Sequence, residues 1–431
     1  MSTITHVKKH FVFIKYQKLI IAAIVIGFLA SFLAISLKRG TEHYEELLFN
    51  QASKNNVLLF VFPLIGLTII AFLRYYLFNN KANKGIKEIF ETTEKRKNSL
   101  PIYKIPSHFI NGLFTVIFGG STGIEVSTVV AAATIGSITQ QKENLLNRHK
   151  LELICAGVAA GITALFFSPF AGILFAYEVI SKKLSKAFIL VTTISVTVSI
   201  IICLLLNEKP LFNVVIQEWQ WKAFPYFILL GIVAGMNAVY LTKTVLFFKA
   251  KFATFKKNST KVIISAVFIS IGLFILPQLY GDGYHAIKEN LANSNTLVLT
   301  IPLFITIIGI IIFKPILTSL TLAGGGDGGV FAPSIFMCVF IGLLLAVLLN
   351  TFFNANVIPL NFMIIRMGAM LSASIHAPFT AIFLTCGLVN DYSLLFPILV
   401  TCLVAKYVSK RIYPFTVYSF AKNKVCLQEK K

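Results

Sequence analysis

The sequence predicts an all-α integral membrane protein, a bundle of many tilted and re-entrant helices built from two inverted repeats. Three observations carry that expectation. Only 13% of the 431 residues are charged while 56% are hydrophobic, and a soluble domain carries about a quarter charged residues. Apolar stretches close to the ~20 residues that cross a bilayer recur along the whole chain. A glycine-rich motif and a Pro-Phe motif each appear twice in the same order, which signals an internal duplication. A soluble enzyme cannot be built from this composition.

In chain order, residues 1–17 form a basic segment with Lys8, Lys9 and Lys15. A first repeat is expected over 18–210, a second over 211–415, and a short basic cytoplasmic tail over 416–431. Apolar helices are expected at about 18–38, 57–79, 108–118, 124–138, 151–166, 170–181 and 187–206. They continue at about 223–248, 262–277, 298–314, 330–353, 358–375, 378–389 and 393–408. Several are too short to span ~30 Å at 1.5 Å per residue. Short apolar helices that begin at Gly or Pro in mid-membrane are tolerated only where their freed backbone groups face protein or a polar cavity.

The charge balance is +22, from 39 Lys and Arg against 17 Asp and Glu. In a soluble protein it would suggest nucleic acid. Here the cations lie between apolar spans, so the positive-inside rule accounts for them and no nucleic-acid partner is expected. The Lys-rich stretch 81–104 and the six lysines between Lys243 and Lys261 place those loops in the cytoplasm. Residues 39–56, with Glu42, Glu45 and Glu46, fit the outer side. The first span shows no small-residue cleavage site and reads as an uncleaved anchor with its N-terminus inside. The cysteines, Cys426 of the tail included, form no C-x-x-C pair and read as small buried hydrophobes.

The repeated motifs make the transport reading specific. Gly119-Gly120-Ser121-Thr122-Gly123 superposes on Gly325-Gly326-Asp327-Gly328-Gly329 at an offset of 206 residues, each followed by an apolar helix. Ser168-Pro169-Phe170-Ala171 matches Ala377-Pro378-Phe379-Thr380 at an offset of 209. Helix N-termini carry unpaired N–H groups and roughly half a positive charge. Two of them, one from each half, can hold an anion without a fixed cation. A cation site would instead need converging carboxylates or carbonyls, and the membrane carboxylates are few: Glu125, Glu178 and Asp327. Glu125 opens an apolar helix just after a glycine turn. An intramembrane carboxylate is costly and usually functional, and this one can occupy the place the anion wants. It therefore reads as a gate and proton carrier, or else as a residue that only complements the helix dipole.

An intramembrane enzyme would need a nucleophile and base or a metal set. His108 and His376 are the histidines near membrane depth, and neither H-E-x-x-H nor G-x-S-x-G occurs. The chain therefore reads as a non-enzyme without cofactors, with the anion as its bound substrate.

These residues resemble the CLC family of chloride channels and chloride/proton exchangers. Gly123-Ile124-Glu125-Val126-Ser127 is similar to the family's gating motif, and Gly329-Val330-Phe331-Ala332-Pro333 to its second anion motif. Pro169 to Phe175, Met367 to Pro378 and Lys410 to Tyr413 follow further family patterns in order. The resemblance implies a homodimer with one anion pathway per subunit, no CBS domains, and a multi-pass location in a prokaryotic plasma membrane with both termini cytoplasmic. It implies that Glu125 is the external gate. Backbone groups at Gly123, Ile124 and Val126, and at Gly329, Val330, Phe331 and Ala332, would bind chloride, with the Tyr413 hydroxyl donating from the inner side. Tyr413 argues against the fluoride branch, and Phe331 reads as a constriction.

The chain departs from the pattern in three places. The early inner-mouth motif aligns with Asn83-Lys84-Gly85-Ile86-Lys87, so Lys84 stands where a serine hydroxyl usually meets the anion. Lys84 either lines the pathway with Gly85 and Ile86 or snorkels to cytoplasmic water. Val179 stands where the best-known exchangers carry an inner glutamate, which leaves Glu178 as a displaced relay or a structural residue. Ile124 and Val126-Ser127 replace the usual basic residue and Gly-Pro. On Val179 the reading inclines to channel-like conduction gated by Glu125, with chloride/proton antiport as the alternative.

Overall fold

The structure, a computed structural model, describes residues 2–81, 83–94, 99–141, 148–294 and 300–420. The chain runs α1 (Ser2–Lys54), α2 (Asn56–Tyr76), α3 (Lys87–Glu94), α4 (Lys104–Ile117), α5 (Glu125–Gln141), α6 (Lys150–Phe166), α7 (Pro169–Phe175) and α8 (Lys186–Leu205). It continues through α9 (Phe224–Ala253), α10 (Asn258–Ile275), α11 (Tyr284–Ala292), α12 (Ile301–Gly324), α13 (Phe331–Phe353), α14 (Pro359–Ile375), α15 (Pro378–Val389) and α16 (Leu395–Ile412). Among the described residues, seven helices are long and apolar enough to cross a membrane. This is a multi-pass, all-helical membrane fold.

Local sequence sets most helix limits. Asn55, Ser185 and Thr300 accept backbone N–H bonds from Val57, Phe188 and Leu303, capping α2, α8 and α12. The helices α7, α14 and α15 each start on a proline, which gives up an N–H that has no partner there anyway. The corners α6–α7 and α14–α15 are built alike. Phe167 (φ 52°) and His376 (φ 56°) turn left-handed, one extended or irregular residue follows, and a proline restarts the helix. Ser168 at the first corner donates its hydroxyl to Phe383 O at 2.9 Å, which seats that corner against the body of α15.

α5, α6, α13, α14 and α15 are buried on nearly every side, whereas α2, α8, α10 and α12 keep apolar residues such as Phe72, Ile201, Phe268 and Ile305 exposed. The latter present the lipid-facing surface. Close approach in the centre depends on small residues. A side chain at Gly136 would collide with Leu153 O, and one at Gly157 with Ala132 O, so α5 and α6 pack backbone to backbone. Buried hydroxyls bond back along their own helices, as Thr128 does to Ile124 O (3.1 Å) and Ser334 to Val330 O (2.6 Å). That leaves few polar groups unsatisfied in hydrocarbon.

The structure corrects several sequence-based limits. α1 is not an 18–38 span followed by an outer loop. It continues for 53 residues, about 80 Å at 1.5 Å per residue, because no proline interrupts 39–54. Lys38 and Arg39 meet Glu208 beyond α8 at 2.9 and 2.7 Å. The polar helices α3 and α11 carry too few apolar residues to register in a hydropathy reading. The segment 416–420 is not a free tail, since Thr416 and Tyr418 are buried; the rest of the expected tail, 421–431, lies outside the described residues, as do the side chains of 1–12.

Overfilling the α5–α6 contact is the direct check on this packing. Gly157→Val should cost about 1–3 kcal/mol and lower the melting temperature of the detergent-purified protein.

A candidate anion site between two helix starts

The two glycine loops are tied to each other by matching bonds. Thr115 of α4 and Thr321 of α12 are 206 residues apart in sequence. Each holds its own loop through a backbone carbonyl: Gly120 N–H to Thr115 O at 2.8 Å and Gly326 N–H to Thr321 O at 2.9 Å. Each also reaches across with its hydroxyl. Thr321 Oγ1 accepts from Ser121 N–H at 3.1 Å, and Thr115 Oγ1 accepts from Asp327 N–H at 2.9 Å. The loops then join directly, with Gly329 N–H donating to Gly123 O at 3.1 Å in an antiparallel bridge. Gly119 (φ 82°) and Gly325 (φ 108°) make the sharp turns that other residues resist. A Cβ on Gly123 would lie 2.6 Å from the Ala332 Cβ and run into the Glu125 carboxylate, and one on Gly329 would run into Val126.

This brings the starts of α5 and α13 together. Ile124, Glu125, Val126, Val330, Phe331 and Ala332 are all buried there, and Phe331 packs on Phe166 with ring centroids 5.3 Å apart. The Glu125 carboxylate is seated in the space between. Its Oε1 accepts the Tyr284 hydroxyl at 2.7 Å. Its Oε2 makes no hydrogen bond of good geometry. Tyr284 is held in turn: its N–H donates to Asp282 Oδ1 at 2.8 Å, and Asp282 N–H donates to Glu45 Oε1 at 3.1 Å. The buried Lys314 fixes the same loop through Leu279 O (3.3 Å) and Gly281 O (3.1 Å). Tyr284 does not stand out in the sequence, whereas Lys314, the lone charge in the apolar run of α12, is a signal that could have been singled out.

The inner-mouth residues divide. Gly85 lies beside the Val126 side chain at 3.2 Å from a built Cβ, and Ile86 is buried. Lys84 points away: its side chain is 56% exposed and its ammonium is 3.5 Å from Glu91. Asn83 faces inward instead, donating to Asp327 Oδ2 at 2.6 Å and accepting from Lys104 and Ser107 at 3.1 Å each. The tyrosine shifts as well. Tyr413 is half-buried under the Lys243 ammonium, 5.6 Å from its ring, and beside Phe415. Tyr418 is the tyrosine buried at the bridge, with its hydroxyl 3.5 Å from a Cβ built on Gly329. The chain turns back after α16, and sequence order alone does not show which tyrosine the turn delivers.

Glu178 lies in a π-helical turn, Ala176–Ser181, and accepts both the N–H and the hydroxyl of Thr380 at 2.7 Å. It caps the start of α15, the role of a structural residue. His376 is the left-handed corner residue described above, with Nε2 3.4 Å from Ser409 Oγ. A charged cluster closes the inner side. His108 Nδ1 lies 2.8 Å from Asp327 Oδ2, and Lys104 is 2.8 Å from Glu88 Oε1. Burial alone would raise the Glu88 carboxyl, but the charge of His108, 3.9 Å away, and the charge and hydrogen bond of Lys104 hold it down at about 2.

Comparison with known proteins agrees with this geometry. The sequence model described as "Voltage gated chloride channel" matches residues 65–410. The chain is 26% identical to the voltage-gated ClC-type chloride channel ClcB of Shigella boydii, over 71% of this chain and 72% of that one. It is also 26% identical to the H(+)/Cl(-) exchange transporter ClcA of Vibrio parahaemolyticus, over 94% of this chain and 89% of that one. In fold it is similar to a slow cyanobacterial Cl-/H+ antiporter, with a TM-score of 0.81 and 20% identity over 96% of this chain and 99% of the other. A CLC-type fluoride/proton antiporter gives a TM-score of 0.77 and 21% identity over 94% and 97%.

Two measurements check the site as drawn. The pKa of Glu88 is lowered on folding, so its contribution to stability is complete above the ordinary carboxylate value and is lost as pH falls toward about 2; Glu88→Gln should flatten that acid limb of a stability–pH curve. With the Tyr418 hydroxyl at the bridge and Tyr413 away from it, Tyr418→Phe should weaken anion binding about tenfold, against at most about twofold for Tyr413→Phe, by calorimetry in detergent.

Proposed function

Because the chain belongs to the voltage gated chloride channel family, we propose that it moves chloride across the membrane in exchange for protons, with Glu125 as the external proton acceptor. Anion transport is the family's work; the exchange mode rests on one observation. The Glu125 carboxylate is seated between the starts of α5 and α13, beside Ala332 and held by the Tyr284 hydroxyl. A carboxylate and a chloride compete for the same amides and the same positive helix ends. A proton on Glu125 cancels its charge, weakens its hold on those groups, and lets the anion take them. Loss of the proton reverses the exchange.

Val179 inclines the sequence toward simple conduction, but it bears on how protons leave at the inner side and leaves the outer acceptor intact. The exchange transporter relative aligns along 94% of this chain, against 71% for the relative named as a channel. The inner-side donor to the anion is Tyr418, with Gly85 and Ile86 at the mouth and Lys84 in cytoplasmic water. The unit is a homodimer with one pathway per subunit, in the cell membrane with cytoplasmic termini.

Reconstitution into liposomes tests the reading, with chloride efflux and outside pH recorded together. A chloride gradient should drive protons uphill. Glu125→Gln should keep chloride flux within about tenfold of the wild type while proton movement disappears, as a side chain without a titrating group requires. Chloride efflux with no proton movement in the wild type leaves conduction as the mode, and loss of sodium or potassium flux in the variant would make it a cation carrier.

A further inference from the structure

Glu125 is only 3% exposed, so a proton from outside needs a way to reach it. A cavity of about 20 Å³ adjoins its carboxylate, which is room for about one water. Beyond it opens a vestibule of about 420 Å³, lined among others by Glu42, Glu45, Glu46, Asp282, Lys288 and Glu289. Carboxylates at the outer mouth of an anion pathway repel the anion, by about 1 kcal/mol per unit charge at 4 Å even in water. Nearby cations are largely engaged: Lys38 and Arg39 bind Glu208, and Lys314 is bound to backbone carbonyls. The vestibule suits proton collection better than anion collection.

Three residues line both the vestibule and the small cavity: Glu42, Asp282 and Tyr284. Glu42 is 40% exposed and belongs to the water side. Asp282 is buried, at 4% exposure, and its Oδ1 holds the N–H of the tyrosine whose hydroxyl holds Glu125. The Glu125 Oε2 has no partner of its own. We propose that Asp282 is the proton relay between the outer vestibule and Glu125. It takes a proton from vestibule water, leaving hydroxide or water behind according to the donor, and becomes a neutral carboxyl. It then hands that proton across the one-water gap to the Glu125 carboxylate and is itself left ionised.

The groups facing Asp282 are Glu42 and Glu45 from α1, Lys314 from α12, Tyr284 and Lys288 from α11, and Glu125 from α5. Burial pushes the Asp282 carboxyl above its ordinary range; the Tyr284 N–H and the Lys314 charge oppose this. Such a group can load and unload protons closer to neutral pH than a free aspartate does.

The relay rests on the exchange reading, and its test separates the two. Asp282→Asn keeps an acceptor for the Tyr284 N–H and removes the titrating oxygen. In liposomes it should cut proton flux, and with it the chloride flux that waits on protonation of Glu125, about tenfold, the low end for losing a positioned acid–base group. Asp282→Glu should restore proton flux. Glu42→Gln, at an exposed position, removes a negative neighbour that raises the Asp282 pKa, so the proton-flux profile against outside pH should move to lower pH. A wild-type proton flux in Asp282→Asn overturns the relay. Should that variant fail to fold, an unmoved profile in Glu42→Gln overturns it equally. A wild type that moves no protons defeats the exchange reading and the relay together.

Discussion

The bond from Gly329 N–H to Gly123 O is the contact on which the site depends. It joins two loops that lie 206 residues apart in sequence, and it fixes the starts of α5 and α13 against each other. The threonine hydroxyls of α4 and α12 secure it from both sides by reaching into the opposite loop. Inside a membrane an unpaired backbone group costs several kcal/mol. A glycine loop at mid-depth therefore persists only if a neighbour completes its bonds. Here each loop completes the other, and the N–H groups left over at the helix starts are those that can hold an anion.

That arrangement explains how the protein manages charge. Among the described residues no fixed cation stands in the site; Ile124 and Val126 flank Glu125 with hydrocarbon. Buried cations are present elsewhere and are occupied with structure. Arg366 is fully buried and donates to Leu230 O at 3.0 Å, Lys314 pins the outer loop, and Arg74 bonds Gly325 O at 2.6 Å behind the second glycine turn. A helix end attracts an anion through partial charge, which binds less tightly than a buried lysine and so permits release. The one full charge at the site is a carboxylate, and a proton can switch it off.

The two sides of the site are finished differently. On the outer side the loop carrying Asp282 and Tyr284 closes over Glu125 and hangs on Lys314 and Glu45. On the inner side Asn83, His108, Glu88 and Lys104 gather around Asp327, next to the bridge. Titratable groups bracket a site whose own lining is backbone and hydrocarbon. Glu125 thus stands between two differently charged surroundings.

The sequence alone determined the membrane class and most of the helical spans, and it singled out Glu125 as a candidate, because hydropathy is a local property and an intramembrane carboxylate is conspicuous in any apolar run. It could also place Glu178, whose capping role follows from facing a proline-started helix, only as one of two options. What tertiary structure decided were the partners. Tyr418 rather than Tyr413 reaches the bridge, Asn83 rather than Lys84 turns inward, and Tyr284 arrives over Glu125 from 159 residues away. Each depends on how a chain reverses direction or which way a short loop rotates. Those outcomes are set by packing between distant segments, and no periodicity along the chain records them.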